Sequence, residues 1–241
     1  MHSVSEPVDL ALLSRCLQPA DVLLVEGDTR FSAAVKYLTQ STWSHAALFV
    51  GRQRLAGRHL EGEPLEVVEA DVVEGVRAVP LSTFAGLHVR VCRPVSLTAV
   101  EADGVIAHAI ARLGHRYDLK NVIDLVRWLL PTPPVPQRLR RRLLALGSGD
   151  PTRAICSTLI AQAFQSVRYP ILPVIERRLR NDPLCPGCVE EILHVRHHSL
   201  YVPRDFDVSP YFQVIKPTLH AGFDHHGLGW AESGAVAMAV G

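Results

Sequence analysis

Three side chains that lie far apart in the sequence have the types that thiol chemistry requires. Cys156 opens the stretch "CSTLIAQAFQ", His45 opens the apolar run "HAALFV", and Glu69 lies in "EVVEAD". A cysteine nucleophile needs a base within hydrogen-bonding distance, and a third polar group commonly orients that base. The three residues could therefore act as nucleophile, base and orienting acid if the fold brings them together.

The residues after Cys156 predict an amphipathic helix from about residue 156 to residue 165, in which Ile160, Ala163 and Phe164 share one face. Cys156 then lies at or near the first turn. Unpaired N–H groups and a partial positive charge at that position lower the pKa of a thiol and can hold an oxyanion. The competing interpretation is a small buried hydrophobe, since cysteines outside disulfides are often interior.

His45 by itself favours a core residue, because it opens a short apolar run. Glu69 changes that balance. If the two strands form an antiparallel hairpin, setting Val50 opposite Pro64 also sets His45 opposite Glu69, with both side chains on one face. We therefore expect Glu69 to orient His45, and a solvent-facing carboxylate is the alternative.

Two further residues are candidates for the substrate pocket or for a donor to an oxyanion. Tyr117 follows Gly114, which ends a helix, in the fragment "GHRYD". Its hydroxyl could point at a reacting carbonyl, or its ring could form a wall of the pocket. A tyrosine that packs at a helix end explains the residue equally well. Ser157 directly follows Cys156 and is the second candidate.

The elements that must position these residues are short strands and helices. Strands are predicted by "DVLLVEGD", "HAALFV", "LEVVEA", "GLHVRVCRPV" and "YFQVIKP". Helices are predicted over residues 30–39, from Thr98 or Glu101 to Leu113, and after Cys156. Short connections between neighbouring strands favour antiparallel pairing. The sequence therefore predicts an α+β fold with a mostly antiparallel sheet packed against helices.

The order His45, Glu69, Tyr117, Cys156 resembles that of the circularly permuted papain-fold cysteine hydrolases of the YiiX-like group. These are related to the NlpC-type peptidoglycan peptidases and to lecithin:retinol acyltransferase. The matching fragments are "DVLLVEGDTRFSAAVKYLTQSTWSHAALFVG", "EVVEA", "GHRYD" and "ICSTLIAQAF", with a weaker match in "YVPRDFDVSPYF". Together they span most of residues 19–215.

The resemblance implies a permuted papain-like (NlpC-like) fold, in which the histidine precedes the cysteine along the chain. It also implies that Cys156 is the nucleophile, that His45 is the base and that Glu69 is the orienting acid. These roles are expectations that follow from the resemblance, whereas the chemistry that the three residue types allow follows from the residues themselves.

We expect a single domain over residues 1–217. The chain has 241 residues, of which 48% are hydrophobic, and this is enough for one sizeable core. The stretch "PTPPVP" breaks a helix and introduces an insertion at about 131–150. The Gly- and Ala-rich composition of residues 218–241 predicts a flexible C-terminal tail.

Charge and hydropathy argue against several classes of function. The 25 basic and 24 acidic residues nearly cancel, which argues against nucleic acid as a partner. The N-terminus does not read as a secretory signal, and no apolar run approaches the ~18 residues that span a bilayer, so we expect a cytoplasmic protein. The basic amphipathic stretch 128–146 admits peripheral contact with an anionic membrane, although a solvated helix is the preferred explanation.

The five cysteines are an odd number and do not indicate a disulfide framework. Cys185 and Cys188 form the motif "CPGC", and with His194 and His198 they are weak candidates for a zinc site. The spacing of these histidines is untypical of zinc sites. Unpaired thiols or a reversible disulfide are therefore the preferred interpretation, and we expect no metal and no cofactor.

The sequence thus favours a thiol-dependent hydrolase that cleaves an amide or ester bond, in a peptide- or lipid-linked substrate, through an acyl-enzyme. Acyl transfer to an amine or alcohol on the same Cys-His-Glu site is an alternative that the sequence does not separate from hydrolysis. An alternative of a different class is a non-catalytic module that binds a metal or another ligand.

Overall fold

A computed structural model of the chain describes residues 9–55, 57–71, 74–116, 151–180, 184–185, 187–216 and 226. Three features predicted from the sequence lie outside these residues: the placement of Tyr117, the insertion at about 131–150 and the basic stretch 128–146. The predicted tail also lies outside them, except for residue 226. The division into one domain and a tail stays a prediction.

The centre of the fold is a six-stranded sheet, accompanied by two short two-stranded ladders. The described strands are β1 (Val22–Glu26), β2 (His45–Phe49), β3 (His59–Leu60), β4 (Glu63–Pro64), β5 (Val67–Asp71), β6 (Gly75–Val79), β7 (His88–Pro94), β8 (Val174–Leu179), β9 (Val189–His194) and β10 (Phe212–Ile215). The large sheet has the order β10-β7-β1-β2-β5-β6, and each neighbouring pair is antiparallel.

Helices accompany this sheet along the chain. They are α1 (Leu10–Cys16), α2 (Arg30–Thr39), α3 (Ala99–Ile110), α4 (Pro151–Ser166) and α5 (Pro203–Asp207). The mixture of helices with a mainly antiparallel sheet confirms the predicted α+β class. Among the described residues, no helix is long and apolar enough to cross a membrane.

The two faces of the sheet carry separate apolar cores. β1 and β2 are buried on both faces, which explains why their sequences are nearly continuous apolar runs. Leu24 belongs to the larger core together with Leu159 of α4. Leu23 belongs to the smaller core together with Leu13 of α1. Strand alternation therefore places α4 on one face of the sheet and α1 on the other.

The register between β2 and β5 differs from the predicted one. The prediction set Val50 opposite Pro64 and His45 opposite Glu69, but Glu69 lies opposite Ala47. The physical reason is the short β3–β4 hairpin in the connection, which takes Pro64 into its own ladder. A shift of two residues preserves the side-chain alternation, so His45 and Glu69 still share strand parity.

The start of α4 also differs from the prediction. The helix begins at Pro151, so Cys156 is its sixth residue and lies in the second turn. Proline is favoured at the first helical position, because its fixed φ suits the helix and its missing N–H needs no partner there. The N–H groups that lack helical acceptors belong to the first turn. The predicted placement of Cys156 at the helix start is therefore wrong.

The boundaries of α3 agree with the sequence more closely. Thr98 is its N-cap, and Thr98 and Glu101 form a reciprocal capping box, which confirms the predicted start. The helix ends at Ile110, and a turn continues to Gly114, which has a φ of +83°. Glycine adopts this conformation without a steric penalty, which explains why the element stops there.

Candidate active site

His45 and Glu69 are hydrogen-bonded where the pairing of β2 with β5 ends. His45 Nε2 lies 2.8 Å from Glu69 Oε2. Because Glu69 is opposite Ala47, the two side chains meet diagonally across the strands, which long side chains can do. The Glu69 side chain is 5% exposed and that of His45 is 27% exposed. The structure thus brings the two predicted residues together through a register that the sequence did not predict.

Arg77 on β6 contacts the same carboxylate from the opposite side. It lies directly across from Glu69, and its Nε and Nη2 atoms are 2.9 Å and 2.8 Å from Glu69 Oε1. Glu74 holds the guanidinium by a further contact of 2.8 Å. The two oxygens of Glu69 therefore bind different partners, His45 and Arg77. This arrangement fixes the orientation of the carboxylate.

Arg77 was not among the residues predicted from the sequence. A signal for it was present, because "VVEADVVEGVRAV" reads as two apolar strands joined by a turn that contains a glycine. Continuing that hairpin pairs Glu69 with Arg77, as the structure does. An arginine opposite a buried glutamate is then expected to be its counter-ion.

Cys156 reaches this cluster from α4. Its side chain is buried, and it is hydrogen-bonded to the side chain of His45. The hydroxyl of Ser157, which is fully buried, lies 3.9 Å from the sulfur. The structure therefore brings together Cys156, His45 and Glu69, with Ser157 beside the sulfur.

A backbone N–H also donates to the sulfur, and the sheet explains why it is available. Along β2, alternate N–H groups face β5, as the bond from the Val50 N–H to the Glu66 carbonyl shows just beyond the strand. Four residues earlier, the Ala46 N–H faces the same way, but the pairing with β5 has already ended. This N–H donates instead to Cys156. The thiol therefore lies at the edge of β2 that faces β5.

The contacts of Cys156 and His45 shift both groups toward their charged forms. Burial alone would lower the pKa of His45, but hydrogen bonds and charge interactions with Cys156 and Glu69 raise it to about 10. Burial alone would raise the pKa of the Cys156 thiol. The hydrogen bond and positive charge of His45, followed by the bonds from Ala46 and Ser157, lower it below its ordinary value. The arrangement therefore favours a thiolate next to an imidazolium.

Glu69 is held ionised by its two partners. Burial alone would raise its pKa, but the hydrogen bond and charge of His45, and then those of Arg77, lower it.

Two other thiols show the opposite behaviour to Cys156. Burial raises the pKa of Cys16, and it raises the pKa of Cys92 to about 12. A buried thiol that has no cationic histidine beside it therefore stays protonated.

The chain segment that leads to Tyr117 is fastened to β6. The N–H of Val76 donates to the His115 carbonyl at 2.9 Å, and the N–H of Gly114 donates to the Val76 carbonyl at 2.8 Å. A Cβ atom on Gly75 would lie 2.3 Å from the His115 carbonyl oxygen, so this close approach requires glycine. The fragment "GHR" thus begins beside the strand that carries Arg77, and Tyr117 itself lies outside the described residues.

The four weak metal candidates do not meet. Cys185 and Cys188 form a disulfide at one end of the β8–β9 ribbon. His194 ends β9 about 20 Å away at the usual rise per strand residue, and its Nε2 lies 2.7 Å from Glu176. His198 lies beyond the ribbon and contacts α4. Within the described part of the chain, no group of three or more candidate ligands could hold a metal ion.

A family model matches part of this chain. Residues 16–124 match the model described as "Permuted papain-like amidase enzyme, YaeF/YiiX, C92 family". The matched region contains His45, Glu69 and Arg77 and ends before Cys156. The match confirms the resemblance to the YiiX-like permuted papain-fold group, and it supports a hydrolase in general.

Two individual proteins are also similar to the chain. "Holliday junction branch migration complex subunit RuvB" of Staphylococcus saprophyticus subsp. saprophyticus is 26% identical over 144 residues, which cover 58% of this chain and 42% of that protein. The chain thus spans about two fifths of the length of this relative. The crystal structure of metalloprotein yiiX from Escherichia coli O157:H7 is 16% identical with a TM-score of 0.48, and the match covers 83% of this chain and 96% of that chain.

Proposed function

Because the chain resembles the YiiX-like permuted papain-like amidases, we propose that it is a cysteine hydrolase that cleaves an amide or ester bond through a covalent acyl-enzyme. The observation that carries the proposal is the hydrogen-bonded series from Cys156 through His45 to Glu69. A thiol, a base and an orienting acid in contact are the parts that acyl transfer requires. The proposed substrate is peptide- or lipid-linked.

The proposed reaction begins from the thiolate–imidazolium pair. The Cys156 thiolate attacks the carbonyl carbon of the substrate and forms a tetrahedral intermediate. His45 then gives its proton to the leaving amine or alcohol, and the carbonyl re-forms as a thioester on Cys156. His45 next accepts a proton from water while that water attacks the thioester, which releases the acid and restores the thiolate–imidazolium pair.

The proposed role of Glu69 is to hold the imidazole in one orientation. Because His45 Nε2 is bonded to Glu69, the other ring nitrogen, Nδ1, is left for exchange of the proton with Cys156. The negative charge of Glu69 also stabilises the imidazolium that is present before acylation and forms again on deacylation. Arg77 acts through Glu69 and is a positioning residue in this proposal.

Ser157 is the proposed donor to the oxyanion, because its hydroxyl lies 3.9 Å from the sulfur. The N–H groups at the start of α4 are not proposed for this role, since Cys156 lies in the second turn of the helix. The assignment of Tyr117 to the substrate pocket stays a prediction from the sequence.

The two alternative functions have different standing. Acyl transfer shares every step up to the thioester and differs only in the acceptor, so it stays a prediction beside hydrolysis. A metal-binding module is not proposed, because the candidate ligands that the structure describes are separated along the ribbon and beyond it.

Substrate profiling tests the proposed function. Wild type and Cys156→Ala are incubated with a library of acylated peptides and lipid-linked amides and esters, and the products are identified by mass spectrometry. We expect wild type to release carboxylic acids from at least one class of compound, and we expect Cys156→Ala to release none. Equal release by both proteins would contradict the proposal.

A further inference from the structure

The β8–β9 ribbon is a sheet of only two strands, and several of its apolar side chains are exposed. Of the described strands, none pairs with the outer edge of β8 or of β9. A two-stranded ribbon is marginally stable by itself, because it buries little apolar surface and leaves one edge of each strand without hydrogen bonds. Four large apolar side chains share one face of the ribbon and are exposed: Ile175, Leu179, Val189 and Leu193. The ribbon is therefore a surface that a further strand would stabilise.

Alternate residues of β9 turn their backbone groups outward. At the closed end of the ribbon, the N–H of Arg180 donates to the Cys188 carbonyl at 2.7 Å, so the Cys188 carbonyl faces β8. Because these directions alternate along an antiparallel strand, the N–H and C=O groups of Val189, Glu191 and Leu193 face the outer edge. A strand that adds to β9 must therefore form its hydrogen bonds with these three residues.

Two copies of β9 can bond to each other through this edge, and the alternation restricts the register. A twofold axis perpendicular to the ribbon pairs the strands antiparallel and keeps equivalent faces on the same side. The axis must then pass between two copies of the same residue. In the middle of Val189–His194 the candidates are Glu191 and Ile192. The first places two carboxylates opposite each other, whereas the second places two apolar side chains there.

The register centred on Ile192 is also complementary in charge. It places Glu190 of each copy opposite His194 of the other, in a pair whose side chains approach closely because the backbones there exchange no hydrogen bonds. Glu190 forms no ion pair within the described residues, whereas Glu176 contacts both Arg178 and His194. His194 makes that contact through Nε2, and an imidazole has a second nitrogen for another partner. A second copy thus supplies the partner that Glu190 lacks.

The outer edge of β8 is less suited to pairing with itself. The same symmetry applies to this strand, so its axis must also pass between two copies of one residue. In the middle of Val174–Leu179 the candidates are Glu176 and Arg177, and each places two like charges opposite each other. Self-pairing of β9 avoids this repulsion, and the difference selects β9 as the interface.

From this pattern we propose that the protein forms a symmetric dimer in which β9 pairs with β9 of a second copy, with Ile192 on the twofold axis. The two ribbons then form one antiparallel sheet in the order β8-β9-β9-β8. Glu191 of each copy bonds through its backbone to Leu193 of the other, and the two Leu193 side chains become diagonal neighbours. The contact is smaller than a standard interface, so we expect a dissociation constant of about 10 µM. Cys156 lies outside the contact, so dimerisation and the proposed hydrolysis are independent.

Disulfide cross-linking tests the register. Ile192→Cys places two thiols opposite each other at a Cα separation of about 4.5 Å, which a disulfide can span. Leu193→Cys is the matched control, because the two thiols are then diagonal, with about 9 Å between their Cα atoms, and a disulfide does not reach that far. Both full-length variants are oxidised with glutathione disulfide, and the linked peptides are identified by mass spectrometry.

The two cysteine variants should differ clearly. We expect Ile192→Cys to give covalent dimers linked through position 192, and we expect about tenfold less linkage through position 193 in Leu193→Cys. Leu193 is more exposed than Ile192, so random collisions between molecules would give the opposite order. Equal linkage in both variants, or more linkage through position 193, would overturn the proposed register.

Sedimentation equilibrium tests the charge pairing. His194→Glu places two carboxylates opposite each other at both ends of the contact, and we expect the dissociation constant to rise about tenfold. Addition of Glu190→His restores opposite charges, and the dissociation constant should return to within about twofold of wild type. Both variants lack the contact between position 194 and Glu176, so the recovery reports the contact between copies.

Three sedimentation results would overturn the dimer. The first is a wild-type protein that stays monomeric at concentrations up to about 1 mM, far above the expected dissociation constant. The second is a dimer whose dissociation constant is unchanged in His194→Glu, because its interface must then lie elsewhere. The third is a double variant that associates no better than His194→Glu alone, which would exclude the pairing of Glu190 with His194.

Discussion

The sheet pair His45–Glu69 and the ribbon pair His194–Glu176 both place a histidine against a glutamate, and of these two pairs the sheet pair alone has the surroundings of an active site. The distance from His45 Nε2 to Glu69 Oε2 is 2.8 Å, and that from His194 Nε2 to Glu176 Oε2 is 2.7 Å. The Glu69 side chain is 5% exposed, whereas that of Glu176 is 39% exposed. Water therefore screens the ribbon pair much more strongly than the sheet pair.

The cysteines of the two regions also differ in their chemical state. Beside His45 lies the thiol of Cys156, whose pKa is lowered. On the ribbon, Cys185 and Cys188 are joined in a disulfide at the end away from His194. A short contact between a histidine and a glutamate is thus not sufficient. Burial of the carboxylate and a thiol on the other side of the imidazole make the sheet pair chemically distinct.

The largest expected difference between the regions is in thiol reactivity. His45→Ala should slow the reaction of Cys156 with iodoacetamide about a thousandfold near neutral pH, because burial without the imidazolium raises the thiol pKa. The rate is measured by mass spectrometry of the labelled protein. His194→Ala is the control and should leave the Cys156 rate unchanged. Similar alkylation rates in wild type and His45→Ala would contradict the activation of the Cys156 thiol by His45.

The next difference is in stability and its dependence on pH. Glu69→Gln should lower the free energy of unfolding by about 2 kcal/mol near neutral pH, because Arg77 and the imidazolium lose a buried counter-charge. The folded state lowers the pKa of Glu69 from 4.5. The advantage of wild type is therefore fully present above about pH 4.5 and is lost as the pH falls through the folded-state pKa.

Urea unfolding at several pH values checks this expectation. Glu176→Gln is the matched change on the ribbon, where exposure to water should keep the unfolding midpoint close to that of wild type. A loss of stability in Glu69→Gln that is the same at every pH would mean that its charge is not responsible.

The smallest expected effect concerns Arg77. Arg77→Gln removes one of the two partners of Glu69 and raises the pKa of that carboxyl relative to wild type. Glu69 is then ionised only at higher pH, so it stabilises the imidazolium only at higher pH. The acid limb of the pH–rate profile for Cys156 alkylation should therefore move upward by about half a pH unit, which corresponds to about threefold in rate on that limb. Arg178→Gln on the ribbon should not move it. A uniform loss of rate without a shift would indicate a purely structural role.

The structure brings the predicted residues Cys156, His45 and Glu69 together, but their local geometry differs from the prediction. Alternation of apolar residues is enough to place β2 and β5, and it assigns His45 and Glu69 to the same strand parity. Register depends on the connection between the strands, and the β3–β4 hairpin shifted it by two residues. The side chains still meet, because a shift of two preserves parity.

The remaining differences have equally local causes. The helix that carries Cys156 begins at Pro151, which an argument based on the apolar face alone does not detect. The ribbon of β8 and β9 was not predicted, because it is largely exposed and lacks the apolar alternation that identifies a half-buried strand. The exposed valines and leucines of the ribbon belong to neither of the two cores formed by the described residues. The ribbon sequence therefore lacks the alternation of buried and exposed residues from which a strand is predicted.

The most direct test of the account is the pH dependence of alkylation at each thiol of the wild-type protein. Iodoacetamide rates at Cys156, Cys16 and Cys92 are measured in one experiment by peptide mass spectrometry across the pH range. We expect a titration midpoint for Cys156 below the ordinary thiol value of 9.0, and midpoints for Cys16 and Cys92 above that value. A midpoint for Cys156 at or above that of Cys16 would contradict the thiolate–imidazolium pair and the proposed hydrolase with it.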